Sequence, residues 1–247
     1  MSFLLPVFAL AIGLVLGLVG GGGSMLVLPL LVYGVHEEPR QAIAASAAVV
    51  SLTSAAGMLR HLRAENVNVY VGTRFGLAGM IGAWLGGHFS SYVPASWLLG
   101  AFGLMTLAAA ASMFKAPPPE SEAEACTPLR LVTTAMTIGG LTGLVGAGGG
   151  FVVVPTLIRR CGLPIREAVG TSMLVLTLQA GAAFAGHATH VEIDWAMIAR
   201  LAIPAAVGAV VGGSLNRRVP TQWLRVGFGV LVLCVGLFQV GMSVWGK

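Results

Sequence analysis

Two glycine runs are where this chain could do chemistry. In GLVGGGGSMLVLPLL, Gly17 to Leu31, the glycines Gly20 to Gly23 and then Ser24 interrupt an apolar run reaching from Phe3 to Val35. In GLVGAGGGFVVVPTL, Gly143 to Leu157, Gly146 to Gly150 interrupt a second apolar segment spanning 129–158. Glycine costs about 1 kcal/mol relative to alanine inside a helix, so each run predicts that one helix stops and another opens just after it. The first N–H groups of such a helix have no intrahelical acceptor and sit at the positive end of its dipole. The chemistry on offer is anion binding by main chain. The candidate positions are Gly21, Gly22, Gly23 and Ser24 in the first run and Gly148, Gly149 and Gly150 in the second.

Few polar side chains stand near these runs. Ser46, Thr171 and Ser172 lie near the starts of the apolar segments that follow, where their hydroxyls either complete an oxyanion shell or bond their own backbone. Gln179 and its counterpart Thr53 lie two turns further on, and an amide in hydrocarbon faces a partner or a cavity. Arg74 and Arg200 either attract an anion or snorkel to headgroups. His61 and His187 close their segments, and either titrate near neutral pH or are interfacial residues without a role. Glu37, Glu38, Glu65, Glu167, Glu192 and Asp194 fall at or beyond segment ends, which argues against a carboxylate relay in the membrane. Cys126, Cys161 and Cys234 have no metal-like spacing, so no metal or cofactor is expected. Ser24 with His88, His187 or His190 suggests an intramembrane serine enzyme, but no G-x-S-x-G elbow is present and Gly150 replaces Ser24 in the second run; an enzyme is not expected.

The elements that would hold these groups are membrane helices. The chain is 56% hydrophobic and 9% charged, with too little polar surface for a soluble globule. Segments of about 20 apolar residues, enough to cross about 30 Å of hydrocarbon, recur near 41–62, 67–91, 95–114, 166–187, 195–216 and 221–245. The net charge of +5 is spread thinly beside these spans and reads as a topology signal, not as a nucleic-acid surface.

At an offset of 126 residues the chain repeats itself. Pro29 falls on Pro155, Arg40 on Arg166, Ser46 on Ser172, His61 on His187, Arg74 on Arg200 and VPASWL (Val93 to Leu98) on VPTQWL (Val219 to Leu224). A first repeat over 1–114 and a second over 129–247 flank a Pro- and Glu-rich linker, 115–128. If each glycine-broken segment crossed the membrane, Lys and Arg would divide evenly between the two sides. If each is a re-entrant hairpin, Arg60, Arg63, Arg74, Lys115, Arg130, Arg159, Arg160, Arg166, Arg217, Arg218 and Arg225 share one side, against Arg40, Arg200 and Lys247. The positive-inside rule selects the hairpin. The expected fold is an all-α membrane protein of two inverted repeats, each a re-entrant hairpin plus three transmembrane helices, with a cytoplasmic linker and extracytoplasmic termini.

The motif GLVGGGGS or GLVGAGGG followed by an apolar run and proline, with REAVGTS at Arg166 to Ser172 and its degenerate copy RQAIAAS at Arg40 to Ser46, resembles the sulfite exporter TauE/SafE family of membrane permeases. The resemblance covers essentially the whole chain. It implies export of small sulfur-containing anions such as sulfite, sulfoacetate or other sulfonates across the bacterial inner membrane; the expected partners are that small anion and membrane lipid, and no nucleic acid. A passive small-anion channel is the alternative. Ala44 and Ala45 stand where the second copy has Gly170 and Thr171, so the expected site is asymmetric.

Overall fold

The computed structural model describes residues 4–114, 128–146, 148–216 and 218–245. Among the described residues there are ten α-helices: α1 (Leu4–Val19), α2 (Ser24–Pro29), α3 (Pro39–Leu62), α4 (Val69–Phe89), α5 (Ala95–Phe114), α6 (Pro128–Val145), α7 (Gly150–Cys161), α8 (Ile165–His187), α9 (Trp195–Asn216) and α10 (Thr221–Trp245). No strand occurs among the described residues. Residues 115–127 of the expected linker lie outside them, and α6 begins at Pro128, the linker's last residue.

Among the described residues three helices, α3, α8 and α9, are long and apolar enough to cross a membrane by length and composition. The sequence suggested six such spans. All six form helices, but α5 and α10 carry shorter apolar stretches, and α4 is diluted by six glycines between Gly72 and Gly87. The outward surface is apolar: Leu104, Ile203 and Leu237 are each more than half exposed. Exposed aromatics stand near helix starts at Tyr70, Trp97, Trp195 and Trp223, where amphipathic rings suit the two edges of a bilayer.

Backbone-to-backbone packing sets the helix directions. Gly13 lies on Ala205 and Gly17 on Ala209, so α1 and α9 run parallel; Gly139 on Gly79 and Gly143 on Ala83 do the same for α6 and α4. A Cβ at Gly82, Gly86, Gly208 or Gly212 would collide with a carbonyl of the facing helix. Small residues spaced by four let helices approach this closely, which accounts for these glycines as packing residues. Each of these pairs joins an element from one half of the chain to an element from the other.

At the centre, α3 and α8 run antiparallel. Gly57 lies against Met173, Ser51 lies beside Gly181, and the Ser51 hydroxyl donates to the Thr177 carbonyl at 3.0 Å. Ser51 and Thr177 are equivalent positions under the 126-residue offset, so the two helices cross at matching points. Because α3 also runs parallel to α9, with Gly57 near Ala209 and Gly213 near His61, α1 and α3 point the same way. The chain between them must therefore turn back.

It turns back at the glycines. Gly21–Gly23 form one 3₁₀ turn, α2 follows, and a π turn over Leu30–Val35 completes the returning limb. Pro29 has no N–H for the helical ladder and its ring crowds the preceding turn, which accounts for the widened turn that begins just after it. The limb ends at Gly34 to Glu37, beside Leu5, Pro6 and Phe8 at the start of α1. In the second half α7 carries Pro155 without a π turn and stays α-helical to Cys161. The rings of Phe102 and Phe151 meet edge-on at 5.8 Å, packing the returning helix α7 against α5 of the other half.

Candidate functional site

The two glycine turns meet. A Cβ built on Gly21 would overlap the backbone of Gly150, and one built on Gly150 would overlap the Cα of Gly21. No side chain separates them, and Gly21, Gly22, Gly23, Ser24, Gly148, Gly149 and Gly150 are all buried. Glycine is required by conformation as well as by space. Gly20 has φ 77° and ψ −140°, and Gly146, Gly148 and Gly149 have φ of 67°, 66° and 71°, a region that side-chain-bearing residues rarely adopt.

Neither turn is capped by a side chain: Gly20 precedes the first and Gly149 the second. In α7 the Gly149 carbonyl accepts from the Val152 and Val153 N–H groups. The N–H groups of Gly150 and Phe151 precede the first possible intrahelical acceptor and point back toward the turn. In the first turn the Ser24 hydroxyl donates to the Gly21 carbonyl at 2.6 Å, so its proton is held inside the turn.

Each turn rests on a serine from the opposite half. The Ser46 hydroxyl lies 2.8 Å from the Gly146 carbonyl and 2.9 Å from the Ile43 carbonyl. Ser172 donates to Val169 at 2.7 Å, and its Oγ would stand 2.9 Å from a Cβ on Gly20. Both serines thus bond their own backbone while bordering the turns.

Five residues named from sequence sit elsewhere. The Thr171 Oγ1 accepts the Asn68 N–H at 2.9 Å, where Asn68 caps α4 and also donates to Glu167, so Thr171 fastens α8 to α4. Gln179 points to the seam with α4 and α6: its Nε2 donates to the Phe75 carbonyl at 3.4 Å, and its Oε1 is buried without a partner. Thr53 is likewise buried with an unpartnered hydroxyl. Arg74 is exposed with its guanidinium 3.9 Å over the Tyr70 ring, and Arg200 is exposed on α9. Neither arginine reaches the turns, in keeping with snorkelling.

The histidines are more than interfacial. His61 is 0% and His187 5% exposed, which corrects their reading as headgroup-level residues. The His187 Nε2–H donates to the Gly143 carbonyl at 2.7 Å and the His61 Nε2–H to the Gly17 carbonyl at 2.9 Å. The Nδ1 of His187 lies 2.9 Å from the Ser90 Oγ. Each ring therefore pins the helix that enters a glycine turn, one turn before the break. Sequence spacing could not reveal this, because the acceptors are main-chain carbonyls 44 residues upstream.

A model of the sulfite exporter TauE/SafE family matches residues 5–238. The chain belongs to the TauE/SafE family. It is 33% identical to a probable membrane transporter protein of Xylella fastidiosa, over 94% of this chain and 92% of that protein. It is 27% identical to the probable membrane transporter protein YdhB of Bacillus subtilis, over 91% and 94% of the two chains. A probable membrane transporter protein of Methanocaldococcus jannaschii is 24% identical over 96% of this chain and 94% of its own length. No solved structure matches the chain. With this family and these apolar helices, the TauE/SafE chain is a multi-pass membrane protein of a transporter family.

Proposed function

We propose that this TauE/SafE protein is a secondary transporter exporting small sulfur-containing oxoanions, such as sulfite, sulfoacetate and other sulfonates, across the bacterial inner membrane. The observation that carries the reading is the meeting of the two glycine turns at Gly21 and Gly150, one from each half of the chain. Irregular backbone inside a bilayer is tolerated where protein or a cavity surrounds it, and in transporters built from repeats that place is the substrate site. Turns lined by N–H donors and helix N-termini stabilise an anion without a buried cation. With many donors, few strong acceptors and the apolar Met25 and Phe151 beside them, they suit a weakly hydrated oxoanion better than a cation or a sugar.

The antiparallel crossing of α3 and α8 supports inverted repeats, 1–114 and 129–247, because equivalent helices that both span the bilayer in opposite directions belong to oppositely oriented halves. The positive-inside bias then puts the linker 115–128 in the cytoplasm and both termini outside. With the turns in contact, the path between them is shut. Rocking of one half against the other about the Ser51–Thr177 crossing would part the turns toward one side at a time.

Counterflow in proteoliposomes tests this reading. Labelled sulfite outside should accumulate transiently against internal unlabelled sulfite, as a carrier requires. Sulfite flux without counterflow would mean a channel, and flux of cations or neutral solutes alone would overturn the anion assignment.

A further inference from the structure

A groove of about 720 Å³ opens where the start of α1, the end of the first returning limb and the start of α9 meet. That volume falls within the roughly 300–1,000 Å³ of small-molecule sites. Its walls are apolar, with Leu5, Phe8 and Ile203, and Phe8 and Ile203 are 54% and 66% exposed on the lipid-facing surface. The ionisable side chains in its lining are Arg200, Glu37, Asp194 and the imidazole of His36.

Arg200, Glu37 and Asp194 line one groove without neutralising one another. No ion pair joins Arg200 to either carboxylate among the described residues, and the Asp194 Oδ1 accepts the Met197 N–H at 2.9 Å as the cap of α9. Their backbone depths differ. Glu37 and Asp194 lie in the segments that precede α3 and α9, whereas the Cα of Arg200 lies five residues into α9 from Trp195, roughly 7–8 Å deeper at the helical rise per residue, a span its long side chain covers in leaning back toward the rim. The groove thus joins an apolar wall to a rim that carries one guanidinium and two carboxylates.

We propose that this groove binds one zwitterionic aminophospholipid, with its acyl chain along the apolar wall, its phosphate on Arg200 and its primary ammonium on Glu37 and Asp194. One guanidinium beside two carboxylates complements one phosphate beside one primary ammonium. A phosphatidylglycerol supplies no cation for the two carboxylates. A phosphatidylcholine supplies a cation with no N–H to donate. The site is separate from the glycine turns, and its occupation does not depend on which anion is transported.

The test is native mass spectrometry of the delipidated full-length protein in detergent with equimolar phosphatidylethanolamine, phosphatidylcholine and phosphatidylglycerol. The ethanolamine lipid should be retained at least fivefold more than either competitor. Glu37→Gln should remove its advantage over the choline lipid, and Arg200→Ala or Ile203→Trp should lower retention of all three, with monodisperse elution and helical circular dichroism confirming each variant's fold. A comparison needing no variant sets phosphatidylethanolamine against its N-trimethylated form on the unaltered protein. Equal retention in that pair, preference for phosphatidylglycerol, or an unchanged ethanolamine preference in Glu37→Gln would overturn the proposal.

Discussion

Gly150→Ala adds one methyl group where two backbones touch. The φ of Gly150 is not positive, so alanine fits the local helix and the whole cost falls on the contact between the turns. The new Cβ would overlap the Gly21 Cα and stand 2.7 Å from the Leu176 Cδ1, against about 3.5–4.0 Å for a comfortable carbon contact. Leu176 can turn aside, but Gly21 is main chain in a turn backed by Val169 and Ser172 at Gly20. Forcing one extra methyl into such packing costs about 1–3 kcal/mol, well inside a folding stability of about 5–15 kcal/mol. The protein should therefore fold with its turns held apart or misaligned. If that energy is lost from the anion-bound state, affinity or flux falls by about 5–150-fold. The assay is sulfite uptake into proteoliposomes at matched incorporation, with Gly100→Ala as control because a Cβ there meets nothing within 4 Å. Equal flux in the two variants would refute the placement of the site between the turns.

Other outcomes follow from the same geometry. His187→Leu removes the 2.7 Å bond to the Gly143 carbonyl, which keeps the longer 3.3 Å bond from the Gly146 N–H, and should destabilise the purified protein by about 1–3 kcal/mol, measured as a lower melting temperature than exposed His190→Leu gives. Gln179→Leu removes the unpartnered Oε1 and a long 3.4 Å contact, so stability should hold; if transport falls more than in Thr53→Val, the amide serves the anion, whereas equal small effects place the substrate elsewhere. Arg74→Gln, at an exposed position, should change stability by no more than about 0.5 kcal/mol and flux by about twofold at most. Efflux of an uncoupled anion should respond to an imposed potential by about 2.3 kcal/mol per charge per 100 mV, and flux in vesicles indifferent to potential would point to proton symport or electroneutral exchange.

The helices and their breaks were legible because they rest on local facts. Long apolar runs mark α3, α8 and α9 whatever their neighbours, and consecutive glycines mark the turns because no helix interior favours them. The offset that matches Pro29 with Pro155 and His61 with His187 also pairs the two histidines that each bond a carbonyl 44 residues upstream. What lay beyond reading was long-range pairing. The contact of Gly21 with Gly150, the Ser46 hydroxyl beside Gly146 and the capture of Thr171 by Asn68 each join residues at least 100 apart. Thr171 and Gln179 look like members of one polar set along a single helix, yet they turn to the Asn68 cap and the Phe75 seam because α4 packs along that face of α8. The π turn after Pro29 was hidden for another reason: Pro155 stands in the same register without one.

The claim that two glycine turns hold a small oxoanion is tested most directly by ligand-induced thermal stabilisation of the purified protein. The panel is sulfite, sulfate, thiosulfate, sulfoacetate, taurine and acetate, run on the unaltered protein and on Gly150→Ala. The account predicts stabilisation by sulfite and by sulfoacetate over acetate, because the sulfonate end is what the turns grip, and loss of that stabilisation in Gly150→Ala. Stabilisation by cations or neutral solutes alone, or an anion response that Gly150→Ala leaves intact, would contradict it.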